Sequence, residues 1–207
     1  MPRLPAPLLS AILPLFAAAL LCTPLAAQDA PDEGDPCASQ NACRVIGPLR
    51  VEAPDGAVST VEMGMTLPWV VQGNVLLAPG DAVLVALDEV GGVLSPRLIS
   101  TGEAARSAEV AEGQVRFDFG LIMRGDVLLS VQSGMAIPVE YAALKVSLAD
   151  GPNRTSTCTL MPGLTVFESW SEPVYQLALW AFRPAQGMAC TEIDLGTPLQ
   201  LERSSGR

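Results

Sequence analysis

Histidine is missing from all 207 residues, and lysine occurs once, as Lys145. Without an imidazole there is no Ser-His-Asp or Cys-His catalysis, no His-ligated metal and no imidazole pH switch. Chemistry would have to run on carboxylates or on a Ser–Lys pair through Lys145, and no Ser-x-x-Lys surrounds that lysine. Positive charge is scarce as well: 12 Lys and Arg stand against 22 Asp and Glu. A nucleic-acid partner needs a cationic footprint, and an anionic lipid surface repels an acidic protein, so both are disfavoured. Together the absences leave no catalytic residue, no metal ligand set and no cofactor to assign.

Long apolar runs are missing after the N-terminus. Residues 1–27 carry one early charge, Arg3, then an apolar stretch from Leu8 to Cys22, then small residues before the acidic turn at Gln28-Asp29. That order is the pattern of a cleaved secretory signal. A membrane-spanning helix needs about 20 apolar residues, whereas Pro14 interrupts this stretch and Pro24 closes it, so no span is expected after cleavage. A lipid anchor on Cys22 is the alternative, with Leu20-Leu21 placing bulk where a processing enzyme favours small residues. Cleavage near Ala27 removes Arg3 and no acid, taking the net charge from −10 to −11. With lysine nearly absent and Ala, Gly, Val and Leu abundant, the composition suggests a GC-rich bacterial source, hence a periplasmic or secreted protein.

Five cysteines are present. Cys22 leaves with the signal or carries the lipid, and Cys37, Cys43, Cys158 and Cys190 form the even set that an exported chain uses for disulfides. Of the three possible pairings, Cys37–Cys43 and Cys158–Cys190 are expected, because each closes within its own end of the chain. A zinc site would favour short paired spacings or histidine partners.

The remainder divides into an acidic lead-in with a disulfide-closed loop, residues 28–43, and a single domain, residues 44–207. In that domain short Val-, Leu- and Ile-rich runs alternate with Gly, Pro, Asp and Asn, with turns expected at Pro54-Asp55-Gly56, Pro79-Gly80-Asp81, Gly91-Gly92 and Asp150-Gly151-Pro152-Asn153. This rhythm predicts an all-β, immunoglobulin-like β-sandwich of about 8–12 short antiparallel strands. The clearest alternation is Gln114–Leu121, where Val115, Phe117 and Phe119 share one face. Residues 82–87 are apolar on both faces, as in a strand covered on each side. Residues 103–112, rich in Ala and Glu, suit a short surface helix or a loop. Val174–Phe182 is expected as strand, with a helix capped at Ser171 as the alternative.

Aromatics make up only 5% of the chain, yet five lie between residues 167 and 182: Phe167, Trp170, Tyr175, Trp180 and Phe182. Trp180 and Phe182 are expected to alternate on one core face. Trp170, within the polar run Glu168–Pro173, is expected in a loop, and Trp170 and Tyr175 are the candidate ligand or partner contacts. The functional expectation is a non-catalytic exported module that binds another macromolecule, a protein or a glycan, or supports an envelope assembly. The alternative is a small-ligand or carbohydrate module built on the aromatic cluster. A carboxylate-dependent hydrolase ranks below both: acid pairs such as Asp88/Glu89 and Glu168/Glu172 arise readily in an acidic chain, and that chemistry needs two carboxyls facing each other across a bond.

Overall fold

The computed structural model describes residues 37, 42–52, 58–121, 126–148 and 150–191, all within the compact unit Gly34–Arg207. The expected signal segment, the acidic lead-in before Cys37, Pro54-Asp55-Gly56 and Arg124-Gly125, both expected as turns, lie outside the described residues.

The chain is an all-β sandwich. Four short strands form two ribbons at its start: Cys43–Ile46 (β1) pairs with Met65–Pro68 (β4), and Leu49–Glu52 (β2) with Val58–Val61 (β3). The sandwich follows, with Val70–Val71 (β5), Asn74–Leu77 (β6), Asp81–Val90 (β7), Val93–Thr101 (β8), Gln114–Leu121 (β9), Val127–Ser133 (β10) and Val139–Ser147 (β11). Gly151–Thr155 (β12), Thr157–Cys158 (β13), Thr165–Trp170 (β14), Val174–Pro184 (β15) and Cys190–Thr191 (β16) complete it. One five-stranded sheet has the order β14-β10-β9-β7-β8, the other β12-β11-β15-β6-β5, and β13 pairs with β16 apart from both. Every pairing is antiparallel.

The sixteen strands among the described residues exceed the expected number because turn residues cut the longer runs. Gly47-Pro48 separates β1 from β2, since proline has no N–H for a ladder. Gln72 (φ 47°) and Gly73 (φ 76°) make the two-residue hairpin between β5 and β6, a geometry that needs positive φ at both positions. Gly91-Gly92 does the same between β7 and β8. Asn153 lies in β12 rather than in a turn.

The core fills the space between the sheets. Val115, Phe117 and Phe119 of β9 are fully buried, as their alternation predicts. They meet Leu129 and Val131 from β10, and Tyr141, Leu177, Leu179 and Phe182 from the opposite sheet. At the centre Tyr141 stacks on Phe182 with ring centroids 5.7 Å apart, and Phe117 meets Tyr141 edge-on at 6.4 Å. Such ring pairs add to the burial itself.

Strand β7 is covered on both sides as expected, but the outer cover is a helix rather than a sheet. Gly102–Ser107 (α1) lays Ala105 over Ala82 and Leu84. Arg116 from β9 donates to the carbonyls of Arg106 and Ala108 at 2.8 and 2.9 Å. It thereby satisfies acceptors that the end of a helix leaves free.

β15 is strand, as favoured over helix, yet its alternation breaks twice. Glu140 opposes Arg183 while Ala142 opposes Trp180, so Tyr141 faces both Ala181 and Phe182. Ala181, at φ 54°, is the extra residue of this bulge. The break corrects the expected pairing of Trp180 with Phe182: Phe182 stays in the core, while Trp180 turns to the outer face, half-buried. Alanine in the left-handed region costs about 1–2 kcal/mol, partly offset by the flexibility that glycine brings. Ala181→Gly is therefore expected to raise stability by roughly 0.5–1 kcal/mol, measured as a higher urea midpoint.

Candidate functional site

The second break in β15 falls at Tyr175. Val146 opposes Gln176, and Ser147 opposes Val174, so Tyr175 is the extra residue and drops out of the alternation. Bulges of this kind re-aim a side chain. Here the ring lines a cleft of about 300 Å³ at the end of the sandwich, shared with Ile46, Pro48, Met63, Trp69 and Pro79.

Arg44 and Asp81 build the polar wall of the cleft. Arg44 leaves β1, lies 3.8 Å over the centre of the Trp69 ring, and pairs with the Asp81 carboxylate at the start of β7. Its remaining protons go to the carbonyls of Leu67, Pro68 and Leu76, at 3.1 to 3.3 Å, while its Nε finds no hydrogen-bond partner among the described residues. Asp81 also accepts the Ala78 N–H at 2.6 Å, closing the Pro79-Gly80 turn. Burial pushes the Asp81 carboxyl up, against the Ala78 N–H and the Arg44 charge, and burial likewise lowers Arg44. The two charges are committed to each other, so the cleft presents rings, aliphatic groups and polar groups without an unpaired charge.

Sequence reasoning reached Tyr175 but missed Arg44, Trp69 and Asp81. A legible signal was Arg44 in the short strand CRVI, where a guanidinium on a packed ribbon needs a carboxylate. Asp81 was legible only as a turn residue after Pro79-Gly80.

Trp170, expected in a loop, is instead the last residue of β14 and faces inward. Its ring meets Phe119 edge-on at 6.5 Å, and its Nε1 donates to Thr155 Oγ1 at 2.9 Å. Two residues earlier in alternation, Glu168 also turns inward, which is what disguised the segment as polar loop. The five aromatics between 167 and 182 thus separate: Phe167 is 62% exposed on an edge strand, Trp170 packs against the core, Tyr175 lines the cleft, Trp180 lies on the outer face and Phe182 is in the core. They offer no common stacking surface.

The acid pairs are otherwise engaged. Asp88 is bonded to Arg97, and Glu172 to Lys145 from the interior side of β11. The hydrogen bond from Lys145 holds the Glu172 carboxyl below its usual range. Glu168 accepts the Cys158 N–H at 2.7 Å, and burial raises its carboxyl. Its charge adds to burial in raising the Tyr141 phenol, whose hydroxyl has no hydrogen-bond partner among the described residues.

Glu172 and Glu168 therefore act oppositely with pH. Glu172 stabilises the fold above the unfolded-state carboxyl range and loses this as pH falls through its lowered value. For Glu168 the folded state holds its proton more tightly than the unfolded state, so its contribution is lost as pH rises through its raised value. Glu168→Gln keeps an acceptor for the Cys158 N–H and removes the buried charge. Its urea midpoint is expected above wild type near neutral pH, the difference fading below the ordinary carboxyl range.

Both disulfides pair as expected: Cys37–Cys43 and Cys158–Cys190. Among the described residues no three Cys, Asp or Glu side chains gather as a metal-binding group, and no helix is long and apolar enough to cross a membrane.

Fold and cleft together describe a disulfide-bonded all-β sandwich with a small recess of mixed polar and apolar lining at one end. Comparison with protein families, curated proteins and solved structures finds no match for this chain.

Proposed function

We propose that this chain is an exported, non-catalytic β-sandwich of the immunoglobulin-like type, periplasmic or secreted, that docks a protein partner through the cleft beside Tyr175. The observation that carries the reading is the match between the recess and its lining. About 300 Å³ is at the lower limit of small-molecule sites and suits one or two uncharged side chains of a larger partner. The committed Arg44–Asp81 pair leaves no charge to recognise an ionic ligand. Two disulfides support an oxidising compartment. The immunoglobulin-like type draws its support from two antiparallel sheets that the chain crosses between repeatedly, at β6–β7, β10–β11 and β14–β15.

A photoreactive residue at Met63, in the cleft, is expected to capture a discrete envelope protein in the source cells. The same residue at Phe167, on the far edge strand, is the control. An aromatic anchor in a pocket often accounts for about 2 kcal/mol of binding. Tyr175→Ala should therefore weaken binding of the captured partner by roughly thirtyfold, with the urea midpoint little changed. Equal labelling from both positions, or none from Met63, counts against the cleft. A tryptophan-fluorescence response to glycans that Tyr175→Ala abolishes would replace the protein partner with a carbohydrate.

A further inference from the structure

Core packing ends before the second disulfide begins. Among the described residues Phe182 is the last in the buried cluster, and Arg183 to Cys190 run along the surface, with only Ala185 half-buried. Met188, the one large apolar side chain there, is 77% exposed. This segment is attached by hydrogen bonds and one covalent link. Ala185 donates to the Pro138 carbonyl at 2.9 Å, Thr159 donates its N–H to the Ala189 carbonyl at 2.8 Å, and Ala189 returns its N–H to Thr159 Oγ1 at 3.2 Å. Then come the two residue pairs of β13 and β16, Thr157 with Thr191 and Cys158 with Cys190. The disulfide joins directly opposed residues of this ladder, and the residues flanking Cys158, Thr157 and Thr159, are buried hydroxyl residues rather than large apolar ones.

A disulfide that staples a core is shielded by the core it holds. This one has the opposite setting: Cys190 is exposed, whereas Cys158 and both cysteines of the other bridge are half-buried. We propose that Cys158–Cys190 is a thiol–disulfide exchange site, a reducible latch whose opening by a dithiol releases the segment 185–191 while the sandwich stays folded.

The exchange balances in two steps. A thiolate of the dithiol attacks Cys190 Sγ, forming a mixed disulfide there and expelling Cys158 as a thiolate, which takes a proton from solvent. The second thiol of the reductant, as thiolate, then attacks its own sulfur in the mixed disulfide, closing an intramolecular disulfide and expelling Cys190, which is protonated in turn. Two electrons pass from the dithiol to the protein, and two cysteine thiols result. With the link gone, one short ladder and a few hydrogen bonds must hold seven residues against their chain entropy, and among the described residues of the segment no buried apolar group helps.

The test is a redox titration of the oxidised chain in dithiothreitol. Alkylation and peptide mapping follow each bridge, and hydrogen exchange follows the backbone. Cys158–Cys190 is expected to open first, in the absence of denaturant. Amides of Ala185 and Ala189, and that of Thr159, should then lose protection by roughly tenfold or more, while those of β9, β11 and β15 keep theirs. The double variant Cys158→Ser/Cys190→Ser should show the same local loss with the core still protected. Core amides that lose protection in step with reduction would overturn the proposal, making the bridge a staple. So would a bridge that resists reduction until the sandwich unfolds, or a double variant that fails to fold.

Discussion

Arg44→Ala is expected to lower stability by about 3–5 kcal/mol, the cost of leaving a buried charge without its partner. The substitution strips the paired counter-charge from Asp81, which keeps the Ala78 N–H and the weaker pull of the Arg106 charge, and removes the donor from the carbonyls of Leu67, Pro68 and Leu76. These groups belong to four separate stretches, from β1 to the start of β7, so one side chain ties the first ribbon to the sandwich. Lysine should not rescue it, since an ammonium cannot spread its donors in the plane of a ring as a guanidinium does. Because burial already raises the Asp81 carboxyl, the penalty should shrink as pH falls and Asp81 becomes neutral. Urea unfolding followed by Trp69 fluorescence reads both effects, since Trp69 lies directly beneath the guanidinium. A loss under about 1 kcal/mol, the size of a surface ion pair, would mean that the pair does not organise the cleft.

Phe117→Ala should be comparably severe, at about 3–5 kcal/mol for a large ring deleted from a packed core. Phe117 is fully buried and reaches across from one sheet to touch Tyr141 and Phe182 on the other. The cavity would open where the sheets meet, beside a Tyr141 hydroxyl that has no partner among the described residues. Phe167→Ala is the matched control, since that ring is 62% exposed and is expected to cost little. Equal losses for the two phenylalanines, measured by chemical denaturation, would contradict the face assignment of β9 and β14.

The strands of this protein were legible wherever alternation was clean. Gln114–Leu121 appears with the expected bounds and the expected inward face, because one buried side and one wet side leave a period-2 pattern in the residues. Turn chemistry was equally readable at Gly91-Gly92 and Pro79-Gly80. The disulfides followed from cysteine count and chain proximity. What alternation hides is the bulge. Ala181 and Tyr175 are ordinary strand residues in sequence, and only pairing with β11 reveals that each is one too many. Alternation alone therefore puts Trp180 on the wrong face and gives no reason for the orientation of Tyr175. Trp170 failed for a different cause: Glu168 reads as a solvent residue, yet it turns inward to hold the Cys158 N–H, so a packed edge strand looked like polar loop. The cleft itself was illegible, because Arg44, Trp69 and Asp81 are far apart in the chain and meet only through the ribbon.

The account rests on passage through a membrane into oxidising surroundings, and intact-mass spectrometry of the protein from its native cells, alkylated at lysis, tests it most directly. The predicted species begins near Gln28 and carries no alkyl group, with Cys37, Cys43, Cys158 and Cys190 all bonded. A chain that still begins at Met1 and is alkylated at every cysteine would contradict it.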